Sequence, residues 1–169
     1  MLYKSYIPNA LTYFRFIAAA LFFYTFLNDL FLISLLLIIL AGITDILDGY
    51  IARKIGLTSN KGAYLDVTSD FALIFTCFLA FVIKGWYNPL ILILIIIMFI
   101  LFIGTSGYKK PVYDPVGKYL GAYLMVMILI SLLFQEQVIR ETLFVLLILI
   151  WIVSIISRLY QYFLSRNFN

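Results

Sequence analysis

The sequence predicts an all-α integral membrane protein with six transmembrane helices and both termini in the cytoplasm. Three observations predict it. Of 169 residues, 65% are hydrophobic and only 12% charged, with a mean hydropathy of +1.10. An ordinary soluble domain is about 45–50% apolar and about 25% charged. The apolar residues fall into six runs, 8–27, 30–52, 62–84, 88–108, 117–135 and 139–163, each close to the ~20 residues that a spanning helix needs. The basic residues, finally, are shared very unevenly between the two ends of these runs, as the positive-inside rule requires of a multi-pass protein. The length suits one domain, 1–169, and the chain shows neither an internal repeat nor a low-complexity tail.

Each run is bounded by local signals. Before the first, Leu2, Tyr3, Tyr6 and Ile7 surround Lys4; this stretch either lies along the membrane interface or starts the chain without structure. No small-residue cleavage site closes the first run, so a removable leader is not expected. Asn28-Asp29 separates the first and second runs. Thr58-Ser59-Asn60 separates the second and third, and Ser59 or Asn60 can cap the helix that follows. Gly85 to Pro89 divides the third from the fourth, and Gly107 to Pro115 the fourth from the fifth. There Asp114-Pro115 reads as an N-cap followed by proline at the first helical position. Gln135-Glu136-Gln137 precedes the sixth run. With a cytoplasmic N-terminus, Lys4, Arg15, Arg53, Lys54, Lys61, Lys109, Lys110, Lys118, Arg158 and Arg166 all fall on the cytoplasmic side. Only Lys84 and Arg140 face the other.

Composition also limits the chemistry. The chain has no histidine, which removes the commonest general base and metal ligand. Its one cysteine, Cys77, lies in an apolar run; it cannot form a disulfide within the chain and reads as a small buried hydrophobe. Any reaction must use Asp, Glu, Lys, Arg, Tyr or Ser.

Against this background residues 44–70, TDILDGYIARKIGLTSNKGAYLDVTSD, are anomalous. Asp45 and Asp48 are three apart and share one face of the second helix; Asp66 and Asp70 are four apart and share one face of the third. A short loop makes the two helices antiparallel neighbours, so four carboxylates converge near their cytoplasmic ends. Like charges so close in a low dielectric would protonate unless cations neutralise them. Clustered hard oxygen ligands suit Mg²⁺, Mn²⁺ or Ca²⁺, and a pair of divalent ions would clamp a phosphoryl group. Gly49, Ala52 and Gly62 leave room for a ligand beside the carboxylates, and Arg53 can pair with a phosphate. Blander readings exist for each residue. An intramembrane aspartate can hydrogen-bond between helices or line an ion path, and small residues can serve close packing alone. The set at its fixed spacing favours a ligand site.

Written by position, the stretch is Asp45-x2-Asp48-Gly49-x2-Ala52-Arg53-x8-Gly62-x3-Asp66-x3-Asp70. This resembles the signature of the CDP-alcohol phosphatidyltransferase family at every defined position, and the six-helix layout is similar as well. Ile7-Pro8-Asn9-Ala10-Leu11-Thr12-x2-Arg15 is similar to the start of phosphatidylglycerophosphate synthases within that family. The resemblance implies attack of an alcohol hydroxyl on the β-phosphorus of a CDP-linked lipid, with release of CMP. It implies that Asp45, Asp48 and Asp66 hold two divalent ions, Mg²⁺ or Mn²⁺. Asp70 would complete that metal site and act as general base. Gly49, Ala52, Arg53 and Gly62 would lie against the CDP moiety, and the protein would be a homodimer of the cell membrane with its site on the cytoplasmic side.

The signature does not set the acceptor. A phosphorylated acceptor such as glycerol 3-phosphate or inositol phosphate needs cations, and Lys118 and Arg158 stand first among those available, with Lys109 and Lys110 after them. Each has another reading. Lys109 and Lys110 can touch lipid headgroups, Lys118 can pair with Asp114, and Arg158 can snorkel. An unphosphorylated acceptor, serine or inositol, is the alternative within the family. A small ion or metal transporter is the alternative outside it. The nearly unbroken apolar fourth and sixth runs offer few polar groups for a transport path.

Overall fold

A computed structural model describes residues 6–55, 60–105 and 115–167, with side chains for 14–45, 67–101, 103 and 119–157. Among them are six α-helices and no strand: α1 (Tyr6–Leu27), α2 (Phe31–Ile55), α3 (Asn60–Ile83), α4 (Leu90–Thr105), α5 (Pro115–Leu133) and α6 (Gln137–Asn167). The expected breaks recur. Asn60 opens α3 and Pro115 opens α5. The helices form two compact units that divide between Lys84 and Gly85.

In the first unit α1 packs against both α2 and α3. Its buried stripe runs Arg15, Ala18, Ala19, Phe22, Phe26, the three-and-four spacing of one helical face. On α2 the stripe is Ser34, Ile38, Ala41, and on α3 it is Ser69, Leu73, Cys77 and Phe81 with Ile74, Phe78 and Ala80 beside it. Cys77 is a fully buried thiol, as its apolar run implies. Phe22, Phe26, Phe78 and Phe81 are all completely buried. Phe81 is the hub of the cluster, with ring centroids 6.0 Å from Phe22, 4.9 Å from Phe26 and 5.7 Å from Phe78, all edge-on. Such pairs add about 0.5–1.5 kcal/mol each beyond area burial.

The α1–α2 corner explains why a two-residue break suffices. Leu30 N–H donates to Thr25 O (2.9 Å) and Asp29 N–H to Phe26 O (3.1 Å), the paired bonds of a Schellman cap. Asp29 takes the left-handed residue of that cap, at φ 62°, a conformation that Asp tolerates better than most side chains. Its carboxylate then receives Lys84 Nζ at 2.7 Å from the end of α3. Just inside, Thr25 and Ser34 share a buried hydroxyl–hydroxyl bond of 2.8 Å between α1 and α2. Gly85, at φ 72°, ends α3.

In the second unit α6 packs against both α5 and α4. Asn88 caps α4, accepting Leu90 N–H on Oδ1 at 2.9 Å, with Pro89 next in the chain where an amide donor is not needed. Neutral hydrogen bonds tie the helices. Tyr123 Oη donates to Leu143 O (2.8 Å), and Trp151 Nε1 donates to Leu94 O (3.2 Å). Tyr87 Oη meets the buried Ser131 Oγ at 2.7 Å. Arg140 lies over the Trp86 ring at 4.7 Å and donates Nη1 to Gln135 O at 2.7 Å.

Large apolar side chains are exposed on every helix, among them Ile17, Leu32, Leu36, Ile100, Val126, Leu149 and Ile156. Within the described residues one segment, Gln137–Ser157, is long and apolar enough to cross a membrane, with hydropathy 2.4. Phe14–Leu27, Phe31–Asp45, Val67–Ile83, Leu90–Leu101 and Tyr119–Leu133 are shorter apolar stretches.

Candidate active site

The three buried stripes of the first unit end in charge. The α2 positions 34, 38 and 41 continue to Asp45. The α3 positions 81, 77 and 73 continue to Ser69 and Asp70, and the α1 positions 26, 22, 19 and 18 continue to Arg15. One helical register therefore stacks phenylalanines at one end and ionised groups at the other. α1 packs antiparallel against α2 and parallel against α3, and this brings the polar ends to one level.

Arg15 is the centre of this level. Its residue is 1% exposed. Its Nη2 pairs with Asp45 Oδ1. Its Nη1 lies 2.8 Å from Asp70 Oδ1 and donates to Ser69 Oγ at 3.1 Å. One guanidinium thus gathers carboxylates from two helices while sitting on a third. Two terminal nitrogens in a fixed plane make this possible; a lysine ammonium offers one point of charge. The carboxylates are less enclosed than their partner, with side chains 42% exposed for Asp45 and 34% for Asp70, against 2% for Arg15. The cation is the deep element, and the carboxylates keep accessible surface beyond it.

Of the aspartates expected at the site, the structure brings Asp45 and Asp70 together on one cation. Asp48, Gly49, Ala52 and Arg53 belong to α2, and Gly62 and Asp66 to α3; their side chains lie outside the described residues. So do the side chains of Lys118 on α5 and Arg158 on α6, and Lys109 and Lys110 fall outside the described residues entirely. Among the described residues no three acidic or sulfur ligands form a metal-sized group. The donor set that is visible nonetheless fits a divalent cation. Two accessible carboxylates from adjacent helices already converge on one positive centre, and carboxylate oxygens are what a hard ion such as Mg²⁺ or Mn²⁺ takes.

Arg15 and Ser69 were not expected here. Its place among the cytoplasmic-side basic residues marks Arg15 as an orientation determinant; buried and shared between two carboxylates, it also belongs to the candidate site. A signal did exist. Arg15 is the one charged residue in the run 8–27, and a charged residue inside a span is by default a functional candidate whose partner must be sought.

The model of the CDP-alcohol phosphatidyltransferase family matches residues 5–157, and the chain belongs to that family of transferases. The match takes in Arg15 and every residue of the aspartate signature. Among similar proteins is the CDP-diacylglycerol–glycerol-3-phosphate 3-phosphatidyltransferase of Aquifex aeolicus, 32% identical over 130 residues, 75% of this chain and 73% of the relative. The chloroplastic enzyme of the same name, numbered 1, from Oryza sativa is 31% identical over 104 residues, 62% of this chain. The Haemophilus influenzae enzyme of that name is 43% identical over 70 residues, 40% of this chain and 38% of its own. The match spans about a third (32%) of the rice relative's length.

Proposed function

We propose that this protein is a membrane enzyme of phospholipid biosynthesis. It transfers the phosphatidyl group of a CDP-linked lipid to glycerol 3-phosphate and releases CMP. The observation that carries this reading is the convergence of Asp45 and Asp70 on a single cationic centre within the complete signature of the family. The acceptor is favoured by the relatives' names, which specify glycerol 3-phosphate as acceptor.

In this reading the acceptor oxygen attacks the β-phosphorus, its bond to the CMP oxygen breaks, and the acceptor proton passes to Asp70. With no histidine in the chain, a carboxylate beside the reacting phosphate is the natural base. Asp45, Asp48 and Asp66, with Asp70 completing the set, would hold two divalent ions, which when bound neutralise the diphosphate and the carboxylates. Gly49, Ala52, Arg53 and Gly62 would border the CDP moiety. Lys118 and Arg158, then Lys109 and Lys110, would hold the acceptor phosphate, whose roughly two negative charges need several cations.

All six helices would span the bilayer as a single domain, 1–169, with both termini cytoplasmic. The exposed apolar surface of every helix and the membrane-length segment Gln137–Ser157 support that placement. A site at the cytoplasmic interface lets a lipid enter between helices while a soluble acceptor arrives from water. The enzyme would act in the cell membrane as a homodimer. The test is CMP release by the purified protein from radiolabelled CDP-diacylglycerol with glycerol 3-phosphate, inositol phosphate, serine and inositol. Turnover with glycerol 3-phosphate is expected; turnover with serine or inositol alone would overturn the acceptor assignment.

A further inference from the structure

Arg15 holds the same carboxylates that the proposed metal ions need. Its Nη2 engages Asp45 and its Nη1 engages Asp70, so oxygens of the first and the last aspartate of the signature face one guanidinium. The guanidinium is itself almost wholly buried and is also anchored by Ser69 Oγ at 3.1 Å. Two carboxylates brought together from α2 and α3 would repel without a cation between them, and a buried arginine is costly without carboxylates. Each group thus stabilises the other with no metal present.

We propose that Arg15 is a built-in counter-cation and a positioning residue. It holds Asp45 and Asp70 at one level of the three-helix unit before metal arrives, and it competes with divalent ions for their oxygens. This inference rests on the metal-dependent reading of the site. An ordinary supporting residue would strengthen metal binding, whereas a competing cation weakens it. A positive charge a few ångströms from a divalent ion opposes binding by more than 1 kcal/mol even at an effective dielectric of about 20. Removing it should therefore tighten binding by about tenfold or more. The fixed two-nitrogen fork also predicts that lysine is not equivalent, because it cannot span two carboxylates in the same way.

The experiment uses the full chain in detergent, with free Mn²⁺ measured by electron paramagnetic resonance and thermal unfolding followed in chelator. The expected result is that Arg15→Met unfolds at a lower temperature than wild type in chelator, yet binds Mn²⁺ at least about tenfold more tightly. Arg15→Lys falls between the two on both readouts. Lower metal-free stability with unchanged or weaker Mn²⁺ binding would overturn the proposal and leave Arg15 a structural or metal-assisting residue. If Arg15→Met does not fold, Arg15→Lys decides, since it must still bind Mn²⁺ more tightly than wild type. Wild type that binds no Mn²⁺ would remove the metal reading and this inference with it. Wild type that binds normally while both variants match it would remove this inference alone.

Discussion

The two three-helix units solve the same packing problem with different chemistry. In the second, neutral bonds tie α4, α5 and α6, from Tyr123 to a carbonyl of α6 and from Trp151 to a carbonyl of α4, and Tyr87 ahead of α4 bonds Ser131 of α5. In the first, the helices meet at one end through a phenylalanine cluster and at the other through a buried arginine shared by two carboxylates. Neutral hydrogen bonds between apolar helices contribute about 0.6 kcal/mol each on average, enough to fix register. Burying a charge such as Arg15 is a poor device for stability, because desolvation offsets most of the attraction its partners supply. Charge of that kind in an apolar chain points to chemistry, and in the proposed function the first unit carries it.

That contrast can be broken by mutation, and the largest effects belong to the first unit. Asp70→Asn should lose on the order of 10²–10⁴ in the rate of CMP release, the usual contribution of a general base. The asparagine oxygen can still accept from Arg15, so CDP-lipid affinity should stay within a few-fold. Loss of nucleotide binding would make Asp70 chiefly a metal ligand. Phe81→Ala should cost stability toward the lower part of the about 3–5 kcal/mol typical of buried Phe→Ala changes, because lipid, unlike water, supplies little hydrophobic drive between helices. Denaturation in mixed micelles measures it, and metal affinity should not change.

Smaller effects belong to the second unit. Lys118→Ala or Arg158→Ala should raise the KM for glycerol 3-phosphate by about tenfold, the worth of one charge-assisted hydrogen bond, and leave CDP-lipid affinity nearly unaltered. Steady-state kinetics in both substrates separates the two. Tyr87→Phe should cost less than about 1 kcal/mol, since Ser131 keeps its 2.6 Å bond to Met127 O. Burial pushes the Tyr87 phenol from 10.0 up to about 12. The fold therefore favours the neutral phenol, and that stability is complete below pH 10 and lost as pH rises toward 12. The stability gap between wild type and Tyr87→Phe should narrow over that window, as paired melts at pH 9 and pH 11 would show.

Much of this was legible in the sequence. The six runs anticipated six helices with ends within a few residues, as 8–27 against Tyr6–Leu27 and 139–163 against Gln137–Asn167 show, because apolar length and Gly, Pro and Asn breaks are local properties. Of the four aspartates whose spacing suggested convergence, Asp45 and Asp70 meet on Arg15, and the side chains of Asp48 and Asp66 lie outside the described residues. Arg15 was legible only in part. Its charge inside a span marked it as a candidate, but only the packing of α1 against α2 and α3 shows which carboxylates it serves. Ser69 is silent, since a lone serine in a span carries no pattern. The proposed acceptor cations lie on segments far apart in the chain, and no local spacing relates Lys118 to Arg158.

In the proposed function the charged end of the first unit is a divalent-metal site that carries phosphatidyl transfer. The most direct measurement is CMP release from CDP-diacylglycerol and glycerol 3-phosphate as chelator is titrated, in wild type and in Asp48→Asn. The account predicts that wild-type activity falls to background in excess chelator and returns with Mg²⁺ or Mn²⁺. It predicts that Asp48→Asn stays at background at every metal concentration while keeping its helical circular dichroism. Full wild-type activity in excess chelator, or normal activity of a folded Asp48→Asn, would contradict it.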